Sequence, residues 1–175
     1  MNEFLRYRFL VDSGVDVFCK SEIKSLQKVF RFSDDYFRFL LINGNWPLIT
    51  ISTNISSSCM YDNLVFLEQT NEDCIFSPYI FIVGRWTEDK LIGEVLVGSH
   101  KGAIVLIEED KYCDIDSIEE LLEDLDIDNV EYHLQCDFKT VNTLLSEELG
   151  IIKLLECSFI DFLENRLLVT GEIRC

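Results

Sequence analysis

Histidine is scarce in this chain: there are two, His100 and His133, in 175 residues. Seven cysteines are scattered with no Cys-x-x-Cys pair, so no zinc-ligand spacing can be assembled. Gly-x-Gly-x-x-Gly, a Walker loop and Gly-x-Ser-x-Gly are all missing, which removes the usual phosphate cradles and the nucleophile elbow. The longest apolar runs (Phe39 to Ile42, Ile80 to Val83, Gly150 to Ile152) fall far short of a membrane span. The opening MNEFLRYRFLVDSGVDVF lacks a charged segment leading into an apolar one with a small-residue cleavage site, so no signal peptide is expected. An odd number of dispersed cysteines then reads as reduced thiols in a cytoplasmic compartment. The Asn54-Ile55-Ser56 sequon, relevant only to a secreted protein, is set aside.

Basic residues are the other shortage. Fifteen Lys plus Arg face 32 Asp plus Glu, a net charge of −17. Much of the excess is local: from Glu108 to Glu131 twelve acidic residues meet a single base, Lys111. Such a field repels nucleic acid and anionic lipid and accelerates association with basic partners. Apolar residues nevertheless make up 48% and aromatics 12%, too hydrophobic for a disordered acidic chain. The charge is expected to sit on one packed domain spanning residues 1–175.

Periodicity divides that domain into helices, a sheet, and helices again. SEIKSLQKVF places Ile23, Leu26, Val29 and Phe30 at helical spacing, with Ser21 as N-cap. A second helix begins at Ser33, carries Asp34 and Asp35 in its first turn and an apolar stripe of Tyr36, Phe39 and Leu40, and ends before Gly44. Trp46-Pro47 breaks the pattern. Leu48 to Ser52 and Asn63 to Leu67 read as strands, followed by a meander over Tyr79–Gly84, Leu91–Val97 and Ala103–Glu108. Ser117-x-x-Glu120 is a capping box ahead of Leu121, Leu122 and Leu125. Phe138 to Leu149 and the segment after Ser158, with Phe159, Phe162, Leu163 and Leu167 inward, are further helices. The fold class is α+β, a central antiparallel meander flanked by N-terminal and C-terminal helices.

Chemistry is sparse on this framework. His133 lies three residues before Cys136, but strand positions three apart face opposite sides and no orienting carboxylate stands at a suitable spacing. The pair reads as a half-buried histidine and a core cysteine. His100 reads as a solvated turn residue. Asp114-x-Asp116 with Glu119 and Glu120 lacks the glycine and closing glutamate of an EF-hand loop. No catalytic residue, no metal and no cofactor are expected; a hydrolase or metal-dependent enzyme would have to rest on these carboxylates and the His133–Cys136 pair.

Three local patterns stand out: Phe32-Ser33-Asp34-Asp35-Tyr36-Phe37-Arg38-Phe39-Leu40-Leu41-Ile42-Asn43-Gly44, the meander YIFIVGRWTEDKLIGEVLVGSHKGAIVLIEED, and Cys157-Ser158-Phe159-Ile160-Asp161-Phe162-Leu163. They resemble the SUKH superfamily, which includes bacterial polymorphic-toxin immunity proteins and relatives of a yeast cell-wall-synthesis regulator. The first is similar to that family's phrase Leu-Pro-x-x-Tyr-x-x-Phe-Leu-x-x-Asn-Gly, with Phe-Ser in place of Leu-Pro. The second resembles its central strands, with Arg85-Trp86-Thr87-Glu88-Asp89 where the family has a Gly-rich turn. The third resembles its closing Ser-Phe-x-x-Phe-Leu helix. The resemblance covers roughly residues 20–168.

The resemblance implies a SUKH-like fold and a non-enzymatic immunity protein that neutralises a cognate, basic, nuclease-type toxin domain. The alternative it leaves open is a general interaction scaffold or regulator on the same fold. Asp114, Asp116, Glu119, Glu120, Glu123 and Asp124 are the expected partner-binding face; the bland reading of the same residues is a solubilising surface. The partner is expected to be protein, with neither nucleic acid nor membrane involved.

Overall fold

The computed structural model describes residues 18–43, 64–77, 79–87, 89–112, 114–131, 137–145 and 150–167. Its first element is α1 (Lys20–Phe30), packed against α2 (Asp34–Asn43). Cys19, rather than Ser21, is the N-cap of α1, and its N–H donates to the Glu22 carboxylate at 3.2 Å. Ile23 and Leu26 are buried as the spacing requires, but Val29 is 63% exposed: it lies beside the apolar stripe rather than on it. Arg31 closes the helix in the left-handed conformation at φ 63°. The Gln27 amide then donates to the Phe32 carbonyl (3.1 Å) and to Asp34 (3.0 Å), fixing the corner between the two helices.

The α2 cap is as expected: Tyr36 N–H donates to Ser33 Oγ at 3.2 Å, and Tyr36, Phe39 and Leu40 are fully buried. Gly44 and the expected strand at Leu48 to Ser52 lie outside the described residues. The expected strand at Asn63 to Leu67 is instead the start of a helix, α3 (Leu64–Glu72). A short apolar run suits either state, and tertiary context decides it. As a helix it turns Leu67 and Asn71, one turn apart, inward, while Val65 stays 63% exposed.

Four strands then form one antiparallel sheet in the order β1-β2-β3-β4: β1 (Ile80–Thr87), β2 (Lys90–Val95), β3 (Ile104–Glu108) and β4 (Ile152–Glu156). The first three are the expected meander, with Thr87 opposite Lys90 at one hairpin and Gly98 and Gly102 at positive φ in the other. The fourth strand went unread in the sequence because it lies between helical segments and pairs with β3 across a connection of some forty residues.

Both faces of the sheet are covered, which is why its strands read as nearly continuous apolar runs instead of alternating ones. Phe81, Val83, Ile92 and Ile104 pack against α1, α2 and α6 (Phe159–Phe162, continuing as a π-helical turn Leu163–Leu167). Tyr36, Phe39 and Phe159 meet there, with Phe159 edge-on to both at 5.1 and 5.2 Å between centroids. Trp86 packs on the margin of this cluster. On the opposite face Ile82, Leu91, Val105, Ile107 and Ile152 pack against α4 (Ile118–Asp124) and α5 (Asp137–Leu144). The architecture is α+β, with helices on both sides of one antiparallel sheet. Among the described residues no helix is long and apolar enough to cross a membrane.

Candidate protein-binding face

The acidic residues singled out in the sequence are presented by α4 and its lead-in. Ser117 caps the helix, accepting from Glu120 N–H at 3.1 Å. Because Ile118, Leu121 and Leu122 turn into the core, the helical period forces Glu119, Glu120, Glu123 and Asp124 outward, and all four are exposed. Asp114 and Asp116 are exposed as well. The capping box differs in one detail: the Glu120 carboxylate accepts from Asp116 N–H (3.0 Å), so it braces the lead-in loop. Lys111, the lone base of this stretch, donates from Nζ to the Gly150 carbonyl at 2.7 Å.

A cleft of about 550 Å³ opens beside this lead-in. One wall is the end of α3 and the turn after it, with Thr70, Asp73 and Cys74. Its floor is the sheet, where Ile82 and Leu91 are buried. The segment after β3 supplies the other wall, with Tyr112, Ile115 and Asp116. Arg85 and Glu109 pair in a two-pronged fashion within it: Nη1 with Oε2, and Nη2 with Oε1 at 3.2 Å. Both are largely shielded, at 18% and 29% exposure. Asp73, Glu109 and Asp116 therefore line the cleft together with one basic residue, Arg85. Burial pushes the Cys74 thiol up to about 11, so at neutral pH it is a protonated, weakly nucleophilic group.

Of the six acidic positions, the structure brings Asp116 into this cleft and ties it to Glu120; Glu119, Glu123 and Asp124 stand on the outer side of α4. Sequence reasoning missed Asp73, Arg85 and Glu109, which come from three separate elements. The one available signal was a charged Arg85 inside an apolar strand. His133 and Cys136 lie outside the described residues. His100 is a half-buried turn residue whose carbonyl accepts from Ala103 N–H. Among the described residues no group of three or more His, Cys, Asp or Glu is placed to hold a metal ion. No protein-family model, curated protein or solved structure matches the chain.

Proposed function

We propose that this chain is a non-catalytic, cytoplasmic immunity protein that binds and neutralises one basic toxin domain. The observation that carries the reading is the exposed acidic surface of α4 and its lead-in, set beside a cleft of net negative charge on a rigid sheet. A surface of one sign raises the rate of encounter with an oppositely charged protein and disfavours nucleic acid, a useful property for a protein that must capture a lethal enzyme before it acts. The α+β meander is the architecture that the SUKH resemblance implies, which supports the same reading.

The test is a pull-down with a tagged copy from the native host at low and high salt. The expected result is one stoichiometric basic protein, bound at nanomolar affinity or tighter and released by salt. Several weak partners would favour the general scaffold, and salt-insensitive micromolar binding would sink the electrostatic account.

A further inference from the structure

We infer that Glu94 is a proton-operated latch: its buried acid form fastens the start of α2 to strand β2, and loss of its proton frees that corner while the sheet stays formed. The device is built into the fold and does not depend on which partner the acidic face receives. Its basis is a carboxyl group sealed at the joint between a helix and the sheet.

Glu94 is 2% exposed, with Phe81 opposite it on β1 and Ile104 opposite it on β3. Ser33 donates to it twice, from its N–H to Oε1 at 2.8 Å and from its hydroxyl to Oε2 at 3.1 Å. The same hydroxyl oxygen accepts from Tyr36 N–H at 3.2 Å, so the cap of α2 and its tie to the sheet run through one side chain. Among the described residues the charged groups acting on Glu94 are Asp35, from α2, which repels its anion, and Lys101, from the turn between β2 and β3, which attracts it without an ion pair. α1 and α6 cover the same face with apolar side chains, Ile23, Leu26, Phe159 and Phe162.

The two protonation states fit this joint unequally. As an acid, Glu94 accepts from Ser33 N–H with one oxygen, donates its O–H to Ser33 Oγ, and buries no charge. A carboxylate keeps two bonds but has about four lone-pair sites to satisfy and is cut off from solvent. An ionised carboxylate buried without a cation either takes up a proton or moves towards water. Burial accordingly holds this carboxyl up at about 7, so modest changes of pH alter its charge. The closed latch is therefore favoured below the ordinary carboxylate range and weakens as pH rises towards that value. Ser33 is half-buried at the corner between α1 and α2, so parting it from Glu94 opens a path to solvent without breaking the ladders from β2 to β1 and β3. Glutamine would make the same two bonds with no charge to bury; the carboxyl is what makes the joint answer to protons.

The test follows the Glu94 side-chain carboxyl carbon and the amides of Ser33 and Tyr36 by NMR in the isotope-labelled full chain. The carbon is expected to titrate near neutrality. Amide protection at both positions, corrected for the intrinsic rise of exchange with pH, should fall about tenfold or more between about pH 5 and 8. Dilute urea, which speeds openings that expose much surface, should hardly change this one while it speeds exchange at Ile92 and Val105 in the sheet. Glu94→Gln should flatten the pH response. Ser33→Ala, which removes a bond that favours the ionised form, should move the Glu94 titration to higher pH. The latch is overturned by a carbon that titrates in the ordinary carboxylate range, or by protection that ignores pH or changes equally in Glu94→Gln. A urea response matching that of the sheet would also overturn it, since the loss would then be global unfolding. A Ser33→Ala titration that stays put or moves down would sink it too, whether or not Glu94→Gln folds.

Discussion

Glu94 places a carboxylate, 2% exposed, between Phe81 and Ile104 on the aromatic face of the sheet. Both its oxygens accept from Ser33, one from the N–H (2.8 Å) and one from the hydroxyl (3.1 Å), so it ties β2 to the start of α2. Burial outweighs these bonds and the nearby Lys101, and with some help from Asp35 raises its pKa from 4.5 to about 7. Between those two values the folded chain holds a proton that the unfolded chain has released, so this group's contribution to stability falls as pH rises through the window and levels off above it. The full effect is about 3 kcal/mol. Denaturant titrations from pH 4 to 8 should therefore show a Glu94→Gln variant gaining on the native chain as pH rises; parallel curves would refute the assignment. Asn71 works with neutral groups. Its amide donates to the Leu67 and Ile82 carbonyls (2.8 and 3.0 Å) and accepts from Ile82 N–H, satisfying both outward backbone groups of a residue on the edge strand β1. Asn71→Ala leaves these groups buried and unpaired, and should cost about 2–5 kcal/mol in equilibrium unfolding; a cost under about 1 kcal/mol would show that the edge is satisfied otherwise. Gly93 has a steric reason. A Cβ there would overlap Ile80 Cγ2 from the neighbouring strand, so Gly93→Ala should destabilise by about 1–3 kcal/mol, read as a lower thermal midpoint.

At the scale of elements, α4 is only seven residues long and too short to persist alone, so its cap and its three buried side chains hold it in place. Ser117→Ala removes the bond to Glu120 N–H and should cost about 1 kcal/mol. Because α4 presents most of the acidic face, the same change should loosen its amides in hydrogen exchange without disturbing β1 to β3. Protection lost evenly over the sheet would mean that the helix is integral to the core. The two edges of the sheet are handled differently. α3 covers β1 through Asn71, whereas β4 carries an irregularity where Ile104 and Val105 face Glu156 and Leu154, a bulge that disfavours pairing with another chain. The segment that became α3 shows the limit of local pattern. Leu64 to Leu67 is apolar enough for a buried strand, and only its place beside β1 makes the helical arrangement, with Asn71 turned inward, the better one.

Over the whole molecule, a net charge of −17 opposes compaction through self-repulsion. Raising sodium chloride from about 10 to 150 mM should therefore raise the thermal midpoint by a few degrees while slowing capture of a basic partner, since screening acts on both. A midpoint that fell with salt would show that attractive surface pairs outweigh the repulsion. The sequence alone determined the acidity, the α+β class, the three-strand meander and the capped helices at Ser33, Ser117 and Ser158, whose hydroxyl accepts from Asp161 N–H at the start of α6. These depend on composition and on periodicity within about ten residues, where helix and strand spacing act directly. It also put Glu119, Glu120, Glu123 and Asp124 on the outer face of their helix, since the inward leucines leave no other choice. The tertiary structure alone decided that residues 64–72 are helical, that Ile152–Glu156 completes the sheet, and that Glu94 is buried against Ser33 sixty-one positions away. It alone set Asp73, Arg85, Glu109 and Asp116 around one cleft. Each of these depends on contacts between segments far apart in the chain, whose free energy comes from burial and pairing that no local window contains.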